Sequence, residues 1–221
     1  MKNYLSVTLN LCILFFSLVV SSQNLEDLIL EPGFKISIYA NNLDSPRQMA
    51  EGKNGTIFVG ERGGQIIGLI DSDSNGQADS KIILAKNLTY STGISIFAGD
   101  LYFSEISKIW KIKNIEQWIS DYNTDADLPE KILVVDNLPD DQWHGWKWLK
   151  HDQDGGLYFN IGAPCNICLS ENPRYASILM YKNGEIQLIA KGVRNSVGFD
   201  FHPNTKKLFF TDNGRDWLGD D

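Results

Sequence analysis

The chain has 221 residues, of which 28 are acidic and 20 are Lys or Arg, so its formal net charge is −8 at pH 7. This acidic balance argues against a nucleic-acid partner, which requires a basic face. No lysine-rich segment is present that would bind an anionic membrane surface. The length is sufficient for one domain with a hydrophobic core.

Residues 1–22 predict a secretory signal peptide. Lys2 gives a short positive start, and residues 5–20 are almost wholly apolar. Small residues follow at Ser21 and Ser22. A retained membrane anchor is the alternative, although a spanning helix favours ~20 apolar residues with defined flanks. We therefore expect the mature domain to cover residues 23–221 and to have no stable membrane span after cleavage. We expect it to be secreted or periplasmic, and so to fold in an oxidising compartment.

The rest of the chain repeats a turn rich in Asp, Asn and Gly, followed by a short run of aromatic and β-branched residues. These runs begin at Ile57, Leu101, Leu157 and Leu208. Second runs follow the first three, at residues 65–70, 108–112 and 177–181. Turn-bounded runs of this kind predict strands. A repeat of about 40–50 residues is the period of a propeller blade, so the sequence predicts an all-β fold: a β-propeller of four-stranded antiparallel blades.

Four repeats fit in the chain, and none of them closes a ring. Because each blade buries its faces against its neighbours, half a ring would expose apolar faces and strand edges. Residues 219–221 bring no closing element, so we interpret the chain as truncated at its C-terminus. A complete four-bladed propeller, or two packed sheets, is the alternative.

One helix is predicted, over residues 114–120, with Asn114 as its candidate N-cap. The sequence shows neither βαβ alternation nor a Gly-rich loop that opens a helix. A nucleotide-binding α/β fold is therefore disfavoured.

Three stretches are richer in polar and aromatic residues than a scaffold requires. They are residues 140–149 (DDQWHGWKWL), 192–199 (GVRNSVGF) and 211–216 (TDNGRD). Further landmarks are residues 45–47, 60–66 and 156–162. In order and spacing, these motifs resemble the soluble PQQ-dependent sugar dehydrogenases, most closely the sorbosone or pyranose dehydrogenase branch. The resemblance extends over nearly all of the chain after the predicted signal peptide. It implies a six-bladed propeller that holds PQQ and Ca²⁺ over its central opening, with about half to two-thirds of the blades present here.

The resemblance assigns roles to three residues. His144 matches the family's catalytic base, because a neutral imidazole suits removal of a hydroxyl proton. Arg194 matches the arginine that stabilises negative charge arriving on the quinone oxygen, and Asn195 matches its cofactor-contacting neighbour. The residues alone leave other interpretations open: a histidine that caps a turn beside Trp143, and a surface Arg-Asn turn.

The loop around Asn213 falls where the family holds its calcium. The resemblance implies that Asn213 contacts the cofactor and that the backbone carbonyls of Gly214 and Arg215 are Ca²⁺ ligands. The glucose-oxidising members have a proline where this chain has Arg215. A solvated acidic loop is the alternative.

Two other departures lie near the expected substrate position. The glucose enzymes place an acidic residue just before the base, where this chain has Trp143. They also carry a polar substrate contact where this chain has residues 163–165, Ala-Pro-Cys. We interpret both changes as signs of a different substrate and not of a different reaction.

A second candidate calcium site lies in residues 71–79. The oxygen ligands are spaced as at the start of a calcium loop, with Gly76 at the sixth position. The candidate ligands are Asp71, Asp73, Asn75 and Asp79. Ile82 stands at the twelfth position, where a bidentate Glu belongs. A polar turn between strands is equally open, and calcium bound here would be structural.

Residues 165–168 form a CxxC motif. The next residue is Leu169 and not His, so covalent haem attachment is excluded. A zinc site requires two more ligands nearby, and a redox CxxC normally opens a helix in a βαβ unit. In an exported chain, a local disulfide between Cys165 and Cys168 is the best interpretation.

The leading functional prediction is a PQQ- and Ca²⁺-dependent enzyme that oxidises a small sugar or sugar-derived aldehyde and passes electrons to an external acceptor. A non-catalytic propeller that binds carbohydrate or protein is one alternative. A calcium-dependent propeller lactonase is another. The joint presence of His144 and of Arg194 with Asn195 favours the oxidoreductase.

Overall fold

The structure, a computed structural model, describes residues 25–124 and 126–217. The chain divides into two compact units, residues 1–37 and 38–221. In the first unit, the described residues include a single 3-10 turn, Leu25–Asp27. The predicted signal peptide lies outside the described residues. Within the described ranges, no helix is long and apolar enough to cross a membrane.

The second unit contains four antiparallel sheets, in each of which the strands pair in chain order. The first sheet is β1 (Pro46–Glu51), β2 (Ile57–Glu61), β3 (Gln65–Ile70) and β4 (Ser80–Ala85). The second is β5 (Ile94–Phe97), β6 (Asp100–Ser104), β7 (Ile109–Ile112) and β8 (Ile132–Val135). The third is β9 (Leu149–His151), β10 (Leu157–Ile161), β11 (Ser177–Lys182) and β12 (Glu185–Lys191). The described part of the fourth is β13 (Phe199–Phe201) and β14 (Leu208–Phe210). The prediction of four-stranded antiparallel sheets is confirmed.

The hydrophobic core lies between neighbouring sheets. One cluster joins Phe58 and Leu84 of the first sheet to Leu101 of the second. The next cluster joins Ile109 of the second sheet to Phe159 of the third. Because sheets in the middle of such a stack are covered on both faces, their central strands are continuous apolar runs instead of alternating ones.

One helix, α1 (Ile115–Ser120), connects β7 to β8 close to its predicted position. Asn114 is the N-cap residue, as predicted, but its side chain makes no capping hydrogen bond. Asn114 adopts a left-handed conformation, with φ 47°, and its backbone N–H donates to Oδ1 of Asp100 at 3.1 Å. Asparagine is used here for its tolerance of that conformation.

The first strands of the first three sheets contact one another, β1 with β5 and β5 with β9. Gln48 of β1 is buried and ties all three strands together. Its Nε2 donates to the carbonyl of Leu149 at 2.7 Å. Its Oε1 accepts the N–H groups of Ile94 and Leu149, both at 2.9 Å. These strands are therefore the inner strands of adjacent blades.

We expect Gln48→Leu to lower the free energy of unfolding by about 3 kcal/mol, because buried backbone groups on two other strands lose their partner. Gln117→Leu is the matched control, since Gln117 is exposed on α1 and bonds only locally, to Asp121. Urea unfolding of the full-length protein measures both changes. A Gln48 variant as stable as the control would contradict this role.

Because the strands of each sheet pair in chain order, their antiparallel arrangement determines which loops lie at the same end of the sheets. Turns alternate between the two ends, so the second turn of each blade and the connection to the next blade emerge together. We call this the upper end, and it consists of residues 62–64, 86–93, 105–108, 136–148, 162–176, 192–198 and 211–217. Residues 71–79 connect β3 to β4 and therefore lie at the opposite, lower end.

Candidate active site

His144 lies at the upper end, in the connection from β8 to β9, and is half-buried. Its backbone is left-handed, with φ 52°. Its Nδ1 lies 2.8 Å from the carbonyl oxygen of Ala163. A carbonyl oxygen only accepts hydrogen bonds, so Nδ1 carries the proton in the neutral ring and Nε2 keeps its lone pair. The contact therefore leaves Nε2 as the ring nitrogen with a free lone pair, which is the property that the predicted role of base requires.

Gly162 allows the segments that carry His144 and Arg194 to meet. It follows the last residue of β10. A Cβ at this position would overlap the Cβ of His144 and lie 2.7 Å from its carbonyl oxygen and 3.3 Å from that of Arg194. The next residue, Ala163, donates its N–H to the carbonyl of Arg194 at 2.7 Å. One backbone unit, Ala163, thus binds both His144 and Arg194.

The guanidinium of Arg194 makes four hydrogen bonds. On one edge, Nε donates to the carbonyl of Asn166 at 3.0 Å and Nη2 to its Oδ1 at 2.7 Å. On the other, Nη1 donates to the carbonyls of Asn213 at 3.0 Å and Gly214 at 2.8 Å. A guanidinium has five N–H donors, so within the described residues one of them, on Nη2, has no acceptor in the protein.

Asp212 anchors the backbone on either side of this arginine. Its Oδ2 accepts the N–H of Arg194 at 3.1 Å, and its Oδ1 accepts that of Asn195 at 2.7 Å. The N–H of Asn213 in turn donates to the carbonyl of Asn195 at 3.1 Å. The structure thus brings the pair Arg194 and Asn195 next to the pair Asn213 and Gly214, 19 residues further along the chain.

The predicted calcium ligands around Gly214 have a different environment from the one expected. The Gly214 carbonyl points at the positively charged guanidinium of Arg194. A second cation at the same oxygen would be repelled, so this arrangement does not fit Ca²⁺. The role of Arg215 in binding calcium stays a prediction.

An unexpected group of cations surrounds Trp146, also at the upper end. The guanidinium carbons of Arg47 and Arg62 lie 4.4 and 4.6 Å from the centre of its indole ring system. The neighbouring Lys147 is buried and donates from Nζ to the carbonyl of Gly145 at 2.6 Å. The indole N–H of Trp146 is buried and has no acceptor within the described residues. Such a cluster attracts an anion, and the orphan N–H is a donor for it.

A cavity of about 130 Å³ opens beside this group. Arg47, Trp146 and Lys147 line it, together with Thr92 and Val197 from the neighbouring connections. The cavity volume is below the range of about 300–1,000 Å³ that is usual for small-molecule pockets, so the cavity could hold only part of a ligand.

Arg47 and Arg62 both belong to motifs noted in the sequence. No local sequence pattern indicated that their guanidinium groups contact the same tryptophan, Trp146.

The loop of residues 71–79 is closed by its own hydrogen bonds. Asp71 accepts the N–H groups of Asn75 at 3.1 Å and Gly76 at 2.9 Å. Hydrogen bonds from Ser72 lower the pKa of Asp79. The carboxylates of Asp71, Asp73 and Asp79 approach within 4.8 Å of one another, close enough to share a cation. A structural calcium stays a prediction here, and the loop lies at the opposite end from His144.

The Sγ atoms of Cys165 and Cys168 are bonded to each other, with Cα atoms 6.0 Å apart. The ring that this bond closes contains Asn166 and lies in the long upper loop between β10 and β11. The sequence motif therefore lies within the site and not at its periphery.

The fold and the site define a β-propeller protein with a polar, arginine-rich upper end. A family model described as TrAA12-like matches residues 28–220, and the chain belongs to this family. An uncharacterized protein of Borreliella burgdorferi is 30% identical over 216 residues, which cover 94% of this chain and 55% of the relative.

Two solved structures share the fold. The calcium structure of a Carbohydrate-Active Enzymes Family AA12 protein from Trichoderma reesei has a TM-score of 0.69 at 18% identity, over 85% of this chain and 50% of that one. The holo PQQ domain of a pyranose dehydrogenase from Coprinopsis cinerea has a TM-score of 0.65 at 16% identity, over 80% and 46%. The chain thus spans about half the length of the proteins it matches. The predicted propeller and the resemblance to PQQ-dependent sugar dehydrogenases are confirmed.

Proposed function

We propose that the protein is an oxidoreductase that uses PQQ to oxidise a sugar or a sugar-derived aldehyde in its hemiacetal or hydrated form. The hydrogen bond from Nδ1 of His144 to Ala163 carries the proposal, because it prepares Nε2 to accept a proton. The same residue, Ala163, holds the backbone of Arg194. A binding module has no need for an oriented base next to an arginine.

The cations around Trp146 are suited to PQQ. This cofactor is planar and carries several carboxylates, which Arg47, Arg62 and Lys147 would hold. The orphan indole N–H of Trp146 offers one further hydrogen bond. Arginine suits this task because its planar fork pairs with carboxylates and its charge is permanent.

Bound PQQ would supply the acceptor for the hydride that leaves the sugar carbon. His144 Nε2 would take the hydroxyl proton, which becomes easier to remove as the hydride departs. The unused N–H of Arg194 would be available to stabilise negative charge at this end of the site. Trp143, whose ring centre is 5.7 Å from that of His144, would cover one side of the base.

The lactonase alternative is less well supported. A hydrolase of that kind needs carboxylate ligands for calcium beside its substrate. Among the described residues, the acidic cluster close enough to bind a metal is Asp71 with Asp73 and Asp79, at the lower end. The proposed enzyme would act outside the cytoplasm on a small soluble substrate, with an external electron acceptor.

Titration of the full-length protein with PQQ, followed by tryptophan fluorescence, tests the cofactor. We expect Arg62→Gln to weaken PQQ binding about 10- to 100-fold, because one charge-assisted hydrogen bond is lost. Lys108→Gln is the control at the same end, since Lys108 lies over a different tryptophan ring, that of Trp110, at 5.8 Å from its centre. Reduction of a dye by the PQQ-loaded protein with aldoses and sorbosone then tests the reaction. Absence of both binding and dye reduction would overturn the proposal.

A further inference from the structure

We propose that Asn166, held in the ring closed by Cys165 and Cys168, is the residue that positions the guanidinium of Arg194. The role of Arg194 in catalysis rests on the function proposed above. The positioning itself rests on the contacts alone, and it gives the CxxC motif a place in the site.

Asn166 contacts the guanidinium of Arg194 through two hydrogen bonds. Asn166 offers its backbone carbonyl to Nε and its side-chain Oδ1 to Nη2, at 3.0 and 2.7 Å. Two parallel bonds along one edge of a guanidinium fix its plane as well as its position. The remaining contacts, both to Nη1, come from the carbonyls of Asn213 and Gly214. Among the described residues, Asn166 is thus the one whose side chain takes part in holding this group.

Asn166 also connects Arg194 to the segment that follows β14. Its Oδ1 accepts the N–H of Asp216 at 3.1 Å, in addition to the bond from Nη2. The amide therefore joins the loop after β10 to residues 211–217. Loss of the side chain would loosen the arginine and this segment together.

The disulfide explains how an exposed loop can hold a side chain in place. Ile167 and Leu169 are 59% and 101% exposed, so apolar packing contributes little to fixing the loop at these residues. A covalent bond between Cys165 and Cys168 limits the conformations of the two residues between them. Asn166 is consequently presented to Arg194 at a low cost in entropy.

The decisive experiment measures how fast phenylglyoxal modifies Arg194 in the full-length protein, by mass spectrometry of its peptide. We expect Asn166→Ala to raise this rate about tenfold, the equivalent of one charge-assisted hydrogen bond. Asn166→Asp keeps the Oδ1 acceptor and is expected to restore the slow rate. The double variant Cys165→Ser, Cys168→Ser is expected to behave like Asn166→Ala.

Two controls separate positioning from general loosening of the loop. Asn172→Ala removes an amide from the same loop that accepts only a local bond, from the N–H of Arg174 at 3.1 Å, and should leave the Arg194 rate unchanged. Arg174 is an internal reference in every Asn166 variant, because its Nη1 bonds instead to the carbonyl of Asn137. Equal modification of Arg194 in wild type and Asn166→Ala would overturn the proposal.

Enzyme kinetics of the PQQ-loaded protein provide the second readout. We expect Asn166→Ala to lower kcat about tenfold and to leave KM for the sugar nearly unchanged, since Arg194 is assigned to developing charge and not to substrate binding. If no variant or wild type oxidises sugars while the modification rates change as expected, the proposed function fails and the positioning role stands. If wild type is active and the rates do not change, the positioning role fails alone.

Discussion

The variant His144→Asn is expected to lower kcat for sugar oxidation by about 10²- to 10⁴-fold, the usual effect of losing a positioned general base. Its stability is expected to stay close to that of the wild type. Asparagine places an amide nitrogen near the position of Nδ1, so the hydrogen bond to Ala163 is retained. It also tolerates the left-handed backbone at this position, where φ is 52°. The substitution therefore removes Nε2 and little else.

His202→Asn is the matched control. His202 lies in the turn between β13 and β14, at the lower end, and its Nδ1 accepts the N–H groups of Asn204 and Thr205 at 3.2 and 3.1 Å. The Oδ1 of asparagine can accept the same bonds. Both variants should melt close to the wild type, and only His144→Asn should lose dye reduction. A folded His144→Asn variant with kcat within threefold of wild type would remove His144 from the mechanism.

The strands that the sequence predicted are those that lie in the middle of a blade. The runs beginning at Ile57, Leu101 and Leu157 correspond to β2, β6 and β10, because burial on both faces demands uninterrupted aliphatic and aromatic residues. The inner strand β1 has the sequence PRQMAE, and the outer strand β12 is exposed along most of its length. The sequence of β1 shows little apolar signal. That of β12, EIQLIAK, does carry apolar residues, although the strand is exposed at the outer edge of its blade.

The site was predictable to the extent that its residues resemble a known pattern. His144 and Arg194 were singled out in this way, and their roles stay predictions. The residue that joins them, Ala163, acts through its backbone and carries no side-chain signal. Asn166 lies in a recognisable motif, yet its contact with Arg194 spans 28 residues. Contacts of this kind depend on which loops emerge at the upper end, which follows from the order of the strands.

Lys147 illustrates a conflict between stability and the proposed function. Its side chain is buried, it lines the cavity beside Trp146, and its Nζ has one protein partner given by the structure, the carbonyl of Gly145. Burial lowers its pKa from 10.5 to about 7. Between these two values the unfolded chain holds a proton that the folded protein lacks. Stability linked to this group therefore rises with pH from about 7 to 10.5, and below pH 7 the folded protein carries the full cost of a buried charge.

We expect Lys147→Met to raise the free energy of unfolding by about 4 kcal/mol at pH 6 and by only about 1 kcal/mol at pH 9, after allowing for the lost bond to Gly145. Urea unfolding at the two pH values measures the change. Lys150→Met is the control, because Lys150 is partly exposed and its ion pair with Asp200, at 2.9 Å, contributes at most about 1 kcal/mol at either pH. A stability gain that does not depend on pH would contradict a charge-burial origin.

The same variant tests why a buried lysine is present at all. If Lys147 contributes to holding a carboxylate of PQQ, Lys147→Met should gain stability and lose cofactor affinity, about 10-fold or more. A carboxylate beside Nζ would favour the protonated form, so wild type should take up protons when PQQ binds near pH 8 and Lys147→Met should not. Calorimetry in two buffers of different ionisation enthalpy measures that uptake. A stabilised variant with unchanged PQQ affinity and unchanged proton uptake would exclude Lys147 from the anion site and leave the task to Arg47 and Arg62.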